Sequence, residues 1–247
     1  MKYFQLMKIS VVIPAFNEEK LLARSLAEIK AAAAAFARRQ WEFELVVCDN
    51  NSTDRTAEIA RAAGALVVFE PFNQIGRARN SGAAAATGNW LIFVDADSHP
   101  SEPLFAEVAE QISSGRCLAG GATVKLDVGH FAAGLVTGLW NLTSRMQRWL
   151  AGSFIFVEKE VFHRLGGFNT EFFAAEELEL SRRLKRLARA ENKKIVVLHR
   201  HPLRTSARKL SLYTLGELAG FFLRSVVSHR RAVRSRESAY LWYDGRR

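Results

Sequence analysis

The chain has 247 residues, 49% of them hydrophobic, which is enough to bury a full core in one large or two small domains. Two cysteines, Cys48 and Cys117, lie far apart in apolar stretches, which excludes a disulfide framework and a zinc finger. The formal charge of +10 is uneven: residues 1–181 carry 17 basic and 21 acidic side chains, whereas residues 182–247 carry 18 and 4.

In chain order, the opening MKYFQLMKIS has no long apolar region and no small-residue cleavage site, so a cytoplasmic protein is expected. Four β-rich runs follow at 9–13, 44–48, 65–69 and 90–94, with helical segments between them. Near-continuous apolar runs of this kind suit parallel strands covered on both faces. Asn17, with Glu18 and Glu19 behind it, is placed to cap an Ala-rich helix; Ser52 or Thr53 is placed to cap the next; Gly64 and Gly88 read as helix stops. The pattern is βαβαβαβ, hence a doubly wound, mostly parallel sheet.

Such sheets bind ligands outside the carboxyl ends of their strands. Pro14 to Glu18, Asp49 to Asp54, the stretch 71–79 with Asn73, Arg77 and Arg79, and Asp95-Ala96-Asp97 therefore converge on one edge. In LIFVDADSHP the fourth run delivers Asp95 and Asp97 to its own end, and alternation sends residues i and i+2 to one side. This suits a hard cation, Mn²⁺ or Mg²⁺, facing a phosphate; the other reading is a turn, with Asp97 or Ser98 capping a helix near Ser101.

The second half reads as a helix at 102–114, a strand at 117–126 and an apolar, Trp-containing helix at about 131–150 that is too interrupted to span a bilayer. A strand at 154–157, the turn Gly166-Gly167-Phe168, a charged helix at 176–190 and a strand at 194–198 complete it. No linker separates domains before about residue 206. Beyond it, Leu215, Leu218, Phe222 and Val226 fall at helical spacing, with Arg224, Arg230, Arg231, Arg234 and Arg236 following. This basic tail, with Trp140 and Trp149, suits an anionic membrane surface; the competing reading packs it on the domain or on a second subunit, as in a homodimer.

The ordered motifs VVIPAFNEE, VVCDNNSTD, NQIGRARNSGAAAATG, LIFVDADS and GGFNTEFFAAEELELSRRL resemble the family 2 glycosyltransferases of the GT-A type, over about residues 8–200. The resemblance implies an α/β, Rossmann-like fold with a nucleotide-binding half (1–98) and a smaller acceptor half (99–205), followed by the helical tail at 206–247. It also implies a metal-dependent, inverting transfer of sugar from a nucleoside-diphosphate sugar to an acceptor hydroxyl; the opening segment and the basic tail add the expectation of a lipid-linked or cell-envelope acceptor and of a protein that is cytoplasmic or peripheral on the inner face of a membrane. Pro14, Phe16, Asn17, Glu18 and Asp49 match the positions that hold the nucleotide, with Asn50 replacing a usual Asp. Arg77 and Arg79 match basic residues that approach the diphosphate, and because their spacing makes them diverge on a helix, one of the two should reach it. Asp97 and Asp95 match the metal site, to which His199 or His201 could add a ligand. Glu177, or Glu176, matches the catalytic base, and Gly152-Ser153 the acceptor-side loop.

Two rivals remain. A nucleotidyltransferase would need a Gly-rich, Lys-containing phosphate loop where this chain has PAFNEE. A basic nucleic-acid-binding protein would use the tail, yet no nucleic-acid module is recognisable, so nucleic acid is not the expected partner.

Overall fold

The computed structural model describes residues 7–127, 131–150 and 152–206. In chain order these contain β1 (Lys8–Ala15), α1 (Leu22–Ala32), α2 (Ala34–Ala37), β2 (Glu42–Asp49), α3 (Thr56–Ala62), β3 (Leu66–Phe69), α4 (Ile75–Ala85), β4 (Trp90–Val94), β5 (Ser98–His99), α5 (Glu102–Ser113), β6 (Cys117–Leu126), α6 (Phe131–Gln147), β7 (Phe154–Glu158), α7 (Lys159–Arg164), α8 (Glu176–Ala190) and β8 (Lys194–Thr205). The basic tail lies outside the described residues from residue 207 onward.

One eight-stranded sheet runs β3-β2-β1-β4-β7-β6-β8-β5. The first four strands pair in parallel, as the alternation of strand and helix patterns requires. β7 then enters antiparallel between β4 and β6, β8 runs parallel to β6, and β5 closes the far edge antiparallel to β8. Every residue of β4 is buried, because helices cover both faces of the sheet. One face packs Val11, Leu26, Ile29, Phe36 and Phe105 under α1, α2 and α5; the other packs Val12, Phe93, Phe162, Phe168 and Leu184 under α4, α7 and α8. Each fully buried side chain of this size stabilises the fold by about 1.5–3 kcal/mol. Cys48 and Cys117 are buried and free, and burial pushes both thiols up to about 12, so neither forms thiolate at neutral pH.

Several helix boundaries differ from expectation because tertiary partners take the capping groups. Asn17 adopts φ +53 and does not cap α1, which begins at Leu22. Its carboxamide oxygen instead accepts from the Thr53 amide at 2.8 Å, while Ser52 Oγ accepts from the Asn17 amide at 3.0 Å. Ser52 and Thr53 are thereby drawn away from α3, whose Thr56 amide donates to Asp54 Oδ1 at 2.9 Å. Ser101 itself caps α5, accepting from the Leu104 amide at 3.3 Å, so neither Asp97 nor Ser98 is needed for that task. β8 continues through an irregularity to Thr205, which places His199 and His201 inside the strand and not after it. Among the described residues no helix is long and apolar enough to cross a membrane.

Gly88 ends no helix either; it lets the chain pass tightly over β1. A Cβ there would lie 2.7 Å from the Lys8 carbonyl oxygen and 2.8 Å from the Ser10 amide nitrogen, both backbone atoms that cannot rotate away. Gly88→Ala is expected to destabilise the protein by about 1–3 kcal/mol, read as a lower midpoint in urea titration with an unchanged slope.

Candidate active site

The loops at the carboxyl ends of the first three strands are tied to one another. Besides the Asn17 bonds, the Glu18 amide donates to Thr56 Oγ1 at 2.8 Å and the Glu19 amide to Asp54 Oδ2 at 3.1 Å. Asp49, buried, accepts from the Ser52 amide at 3.0 Å, the turn that its residue type favours. Asn50 is buried and donates to the carbonyls of Glu70 and Phe72, which ties the loop after β2 to the loop after β3. An acidic residue in that position would lose both bonds, since a carboxylate donates nothing.

Arg79 is the centre of the site. It lies on the inward face of α4 with 2% exposure, an extreme value for a guanidinium. Nη1 donates to Glu176 Oε1 at 2.7 Å, and Nη2 donates to Asp95 Oδ1 at 2.9 Å and to the Gly152 carbonyl at 2.8 Å. Its carbon lies 5.2 Å from the centroid of the Phe168 ring, while Nε has no hydrogen-bond partner. Burial works against the charge, but Asp95, Glu176 and Glu177 outweigh it, so the group stays cationic. Gly152 is small for a reason: a Cβ would stand 3.3 Å from Nη2 and 3.5 Å from the Glu177 carboxyl carbon. Arg77, two residues away, points outward, stacks at 5.0 Å over Phe72 and donates to Gln74 Oε1. The two arginines thus diverge, and only Arg79 enters.

α4 also holds the loop that leads into α8. Gln74 Nε2 donates to the carbonyls of Thr170 and Phe172 at 2.8 and 2.9 Å. Asn80 clamps Phe168 at both ends, donating to its carbonyl at 2.8 Å and accepting from its amide at 2.9 Å. Gln74 and Asn80 were not singled out individually in the sequence, although both stand in NQIGRARN; their partners are backbone atoms 88 to 98 residues away, which leave no local trace. Ala175, just before α8, has φ +61, a left-handed conformation that costs a non-glycine residue about 1–2 kcal/mol. It turns Glu176 and Glu177 into a cavity of about 140 Å³ lined also by Arg79, Asp95, Gly152 and Ser153.

Three carboxylates around one guanidinium leave excess negative charge in a dry place. Burial first, and then Glu177, push Glu176 up to about 8 against the pull of Arg79. Burial likewise raises Glu177, with Arg79 opposing. The cluster therefore retains a proton near neutral pH and can exchange it there, as a group serving acid–base chemistry must.

Asp97 is buried on the turn beyond Asp95 and does not line this cavity; its carbonyl accepts from the Ser206 amide at 3.1 Å. His199 is exposed on β8, and His201 Nε2 stands 3.5 Å from Glu107 of α5. Among the described residues no three His, Cys, Asp or Glu side chains form a metal-holding group, so His199 is not brought together with Asp95 and Asp97. A pair of carboxylates still fits a hard cation that takes its other oxygens from substrate phosphate and water.

Removing the guanidinium would strand Asp95 and Glu176 without their buried counter-charge. Arg79→Ala is expected to cost about 3–5 kcal/mol in denaturant unfolding. The raised Glu176 sets a pH dependence: the folded state holds its proton more tightly than the unfolded state does, so this contribution is complete below about 4.5 and is lost as pH rises through about 8. In Glu176→Gln the fall in Tm across that interval should be shallower than in the wild type.

The fold is shared with known proteins. An uncharacterized glycosyltransferase of Mycobacterium bovis is 32% identical over 141 residues, 56% of this chain and 60% of the relative; the chain thus spans about 60% of the length of the first curated relatives it matches. Staphylococcus aureus TarS 1–349, solved in complex with UDP-GlcNAc, superposes with a TM-score of 0.63 at 21% identity, covering 95% of this chain and 69% of that one. Glucosyl-3-phosphoglycerate synthase from Mycobacterium tuberculosis, solved with Mn²⁺, uridine diphosphate and glucosyl-3-phosphoglycerate, gives 0.59 at 22%, covering 91% and 80%. These likenesses establish the fold as GT-A. The family model described as Glycosyl transferase family 2 matches residues 10–160, and the chain belongs to that family.

Proposed function

We propose that the protein is a metal-dependent, inverting glycosyltransferase that moves a sugar from a nucleoside diphosphate to an acceptor hydroxyl, on a lipid-linked or cell-envelope glycan. The observation that carries this reading is the buried cluster in which Arg79 joins the end of β4, through Asp95, to the start of α8, through Glu176. The half up to residue 98 takes the nucleotide, with Pro14, Phe16, Asn17, Glu18 and Asp49 around base and ribose; residues 99–205 form the acceptor side. Asp97 with Asp95 would hold Mn²⁺ or Mg²⁺, which when bound neutralises the charge gathering on the departing diphosphate.

Glu177 is the better base of the pair. Both line the cavity, but Glu176 is committed to Arg79, whereas Glu177 is less buried. Its raised pKa makes it a stronger base than an ordinary carboxylate. Arg79 then has two tasks: it fixes Glu176 and hence the first turn of α8, and it limits the repulsion that a second ionised carboxylate would create. Of the two arginines, Arg77 is the exposed one, so it is the one that can meet a phosphate.

Thermal-shift titration with UDP-, GDP- and dTDP-sugars, with and without Mn²⁺, tests the donor class. The matching donor at about a hundred times its Kd should stabilise the fold by about 2.7 kcal/mol, and Asp97→Ala should lose the metal-dependent part. An unchanged shift would remove Asp97 from the site. Glu177→Gln should keep the donor shift while kcat falls by about 10²–10⁴; wild-type turnover in that variant would transfer the base to another residue.

A further inference from the structure

α6 turns three large apolar side chains to solvent: Leu139, Leu142 and Met146 are 67%, 53% and 74% exposed. Spacings of three and four place them on one stripe. The orientation of the helix is set from its other side, where Asn141 grips Val124 of β6 at both backbone atoms, accepting at 3.0 Å and donating at 2.8 Å. The stripe therefore cannot roll inward without breaking that clamp.

Positive charge lies beside the stripe, toward the end of α6. Arg145 and Arg148 are exposed where α6 ends, and Trp149 follows with the Lys185 ammonium 5.9 Å from its ring centroid. On α8, Arg182, Arg186 and Arg189 are exposed and share the outward arc with Lys185, opposite the buried Leu180 and Leu184. Burial and then Arg182, Arg189 and Arg148 lower the pKa of Lys185, so cations from the end of α6 and from α8 belong to one field. Between Asp127 and Glu158 the sequence has no acidic residue to offset it.

Single exposed apolar residues are ordinary; an oriented apolar stripe beside a cationic field and a Trp is the anatomy of an interfacial surface. We infer that the α6–α8 face of this protein docks on an anionic phospholipid bilayer. Leu139, Leu142 and Met146 enter the boundary between headgroups and acyl chains, and Arg145, Arg148, Arg182, Lys185, Arg186 and Arg189 meet lipid phosphates. Nucleic acid would satisfy the cations and leave the stripe wet, and a second copy would set like charge against like. The cavity residues Gly152 and Ser153 follow closely after Trp149, so docking brings the mouth of the site beside the lipid surface.

Flotation of the full chain with phosphatidylcholine vesicles, with and without phosphatidylglycerol, tests this. Binding is expected only with the anionic lipid and should weaken as salt rises. Arg182→Ala and Lys185→Ala should each lower the partition coefficient about fivefold, and Met146→Ser should lower it at least as much, with Tm and nucleoside-diphosphate affinity unchanged in all three. Binding without preference for anionic vesicles, or variants that bind as the wild type does because residues 207–247 carry the contact, would overturn the proposal. So would a wild-type dimer in sedimentation that Met146→Glu converts to monomer, since that assigns the stripe to a second copy.

Discussion

The arrangement of this site depends on one buried guanidinium. Arg79 is bonded to the end of β4, to the Gly152 carbonyl ahead of β7 and to the first residue of α8. A charge this deep is tolerated only when its partners are charged and well placed, since desolvation otherwise exceeds the Coulombic gain. Here the partners come from sequence positions 16 and 97 residues away, so the folded state either assembles all of them or leaves a bare ion in the core. That all-or-none character makes the geometry of the two glutamates definite.

Small residues and amide clamps support the same geometry. Gly152 leaves room for Arg79, whose Nη2 a Cβ would meet at 3.3 Å. Gln74 and Asn80 carry no charge, yet they fix the backbone of the loop before α8 by four hydrogen bonds. The cavity is thus prepared before any ligand arrives, which is how an enzyme lowers the reorganisation needed at the reacting centre.

Charge is sorted between the interior of the site and the outer face of α8. Glu176 and Glu177 face inward from its first turn, and the arginines and Lys185 face outward from the rest. The helix thus connects a negatively charged cavity to a positively charged exterior. Of the 18 basic residues after position 181, nine precede residue 207, so the segment 182–206 carries as many basic side chains as the tail does.

By itself the sequence determined the sheet half, because apolar runs alternating with helical patterns admit few arrangements, and it brought Asp95, Arg79, Glu176 and Glu177 forward as chemistry-bearing residues. Burial runs and i, i+2 alternation are local signals, and local signals survive in one dimension. The tertiary structure alone decided which arginine turns inward, that Asn17 and Ser52 bind each other's loops in place of capping helices, that β8 carries His199 and His201 within the strand, and that Gln74, Asn80 and Gly152 support the site. Each of these outcomes is a competition for a hydrogen-bond partner or for space between segments distant in sequence, and the winner is set by where the sheet places them.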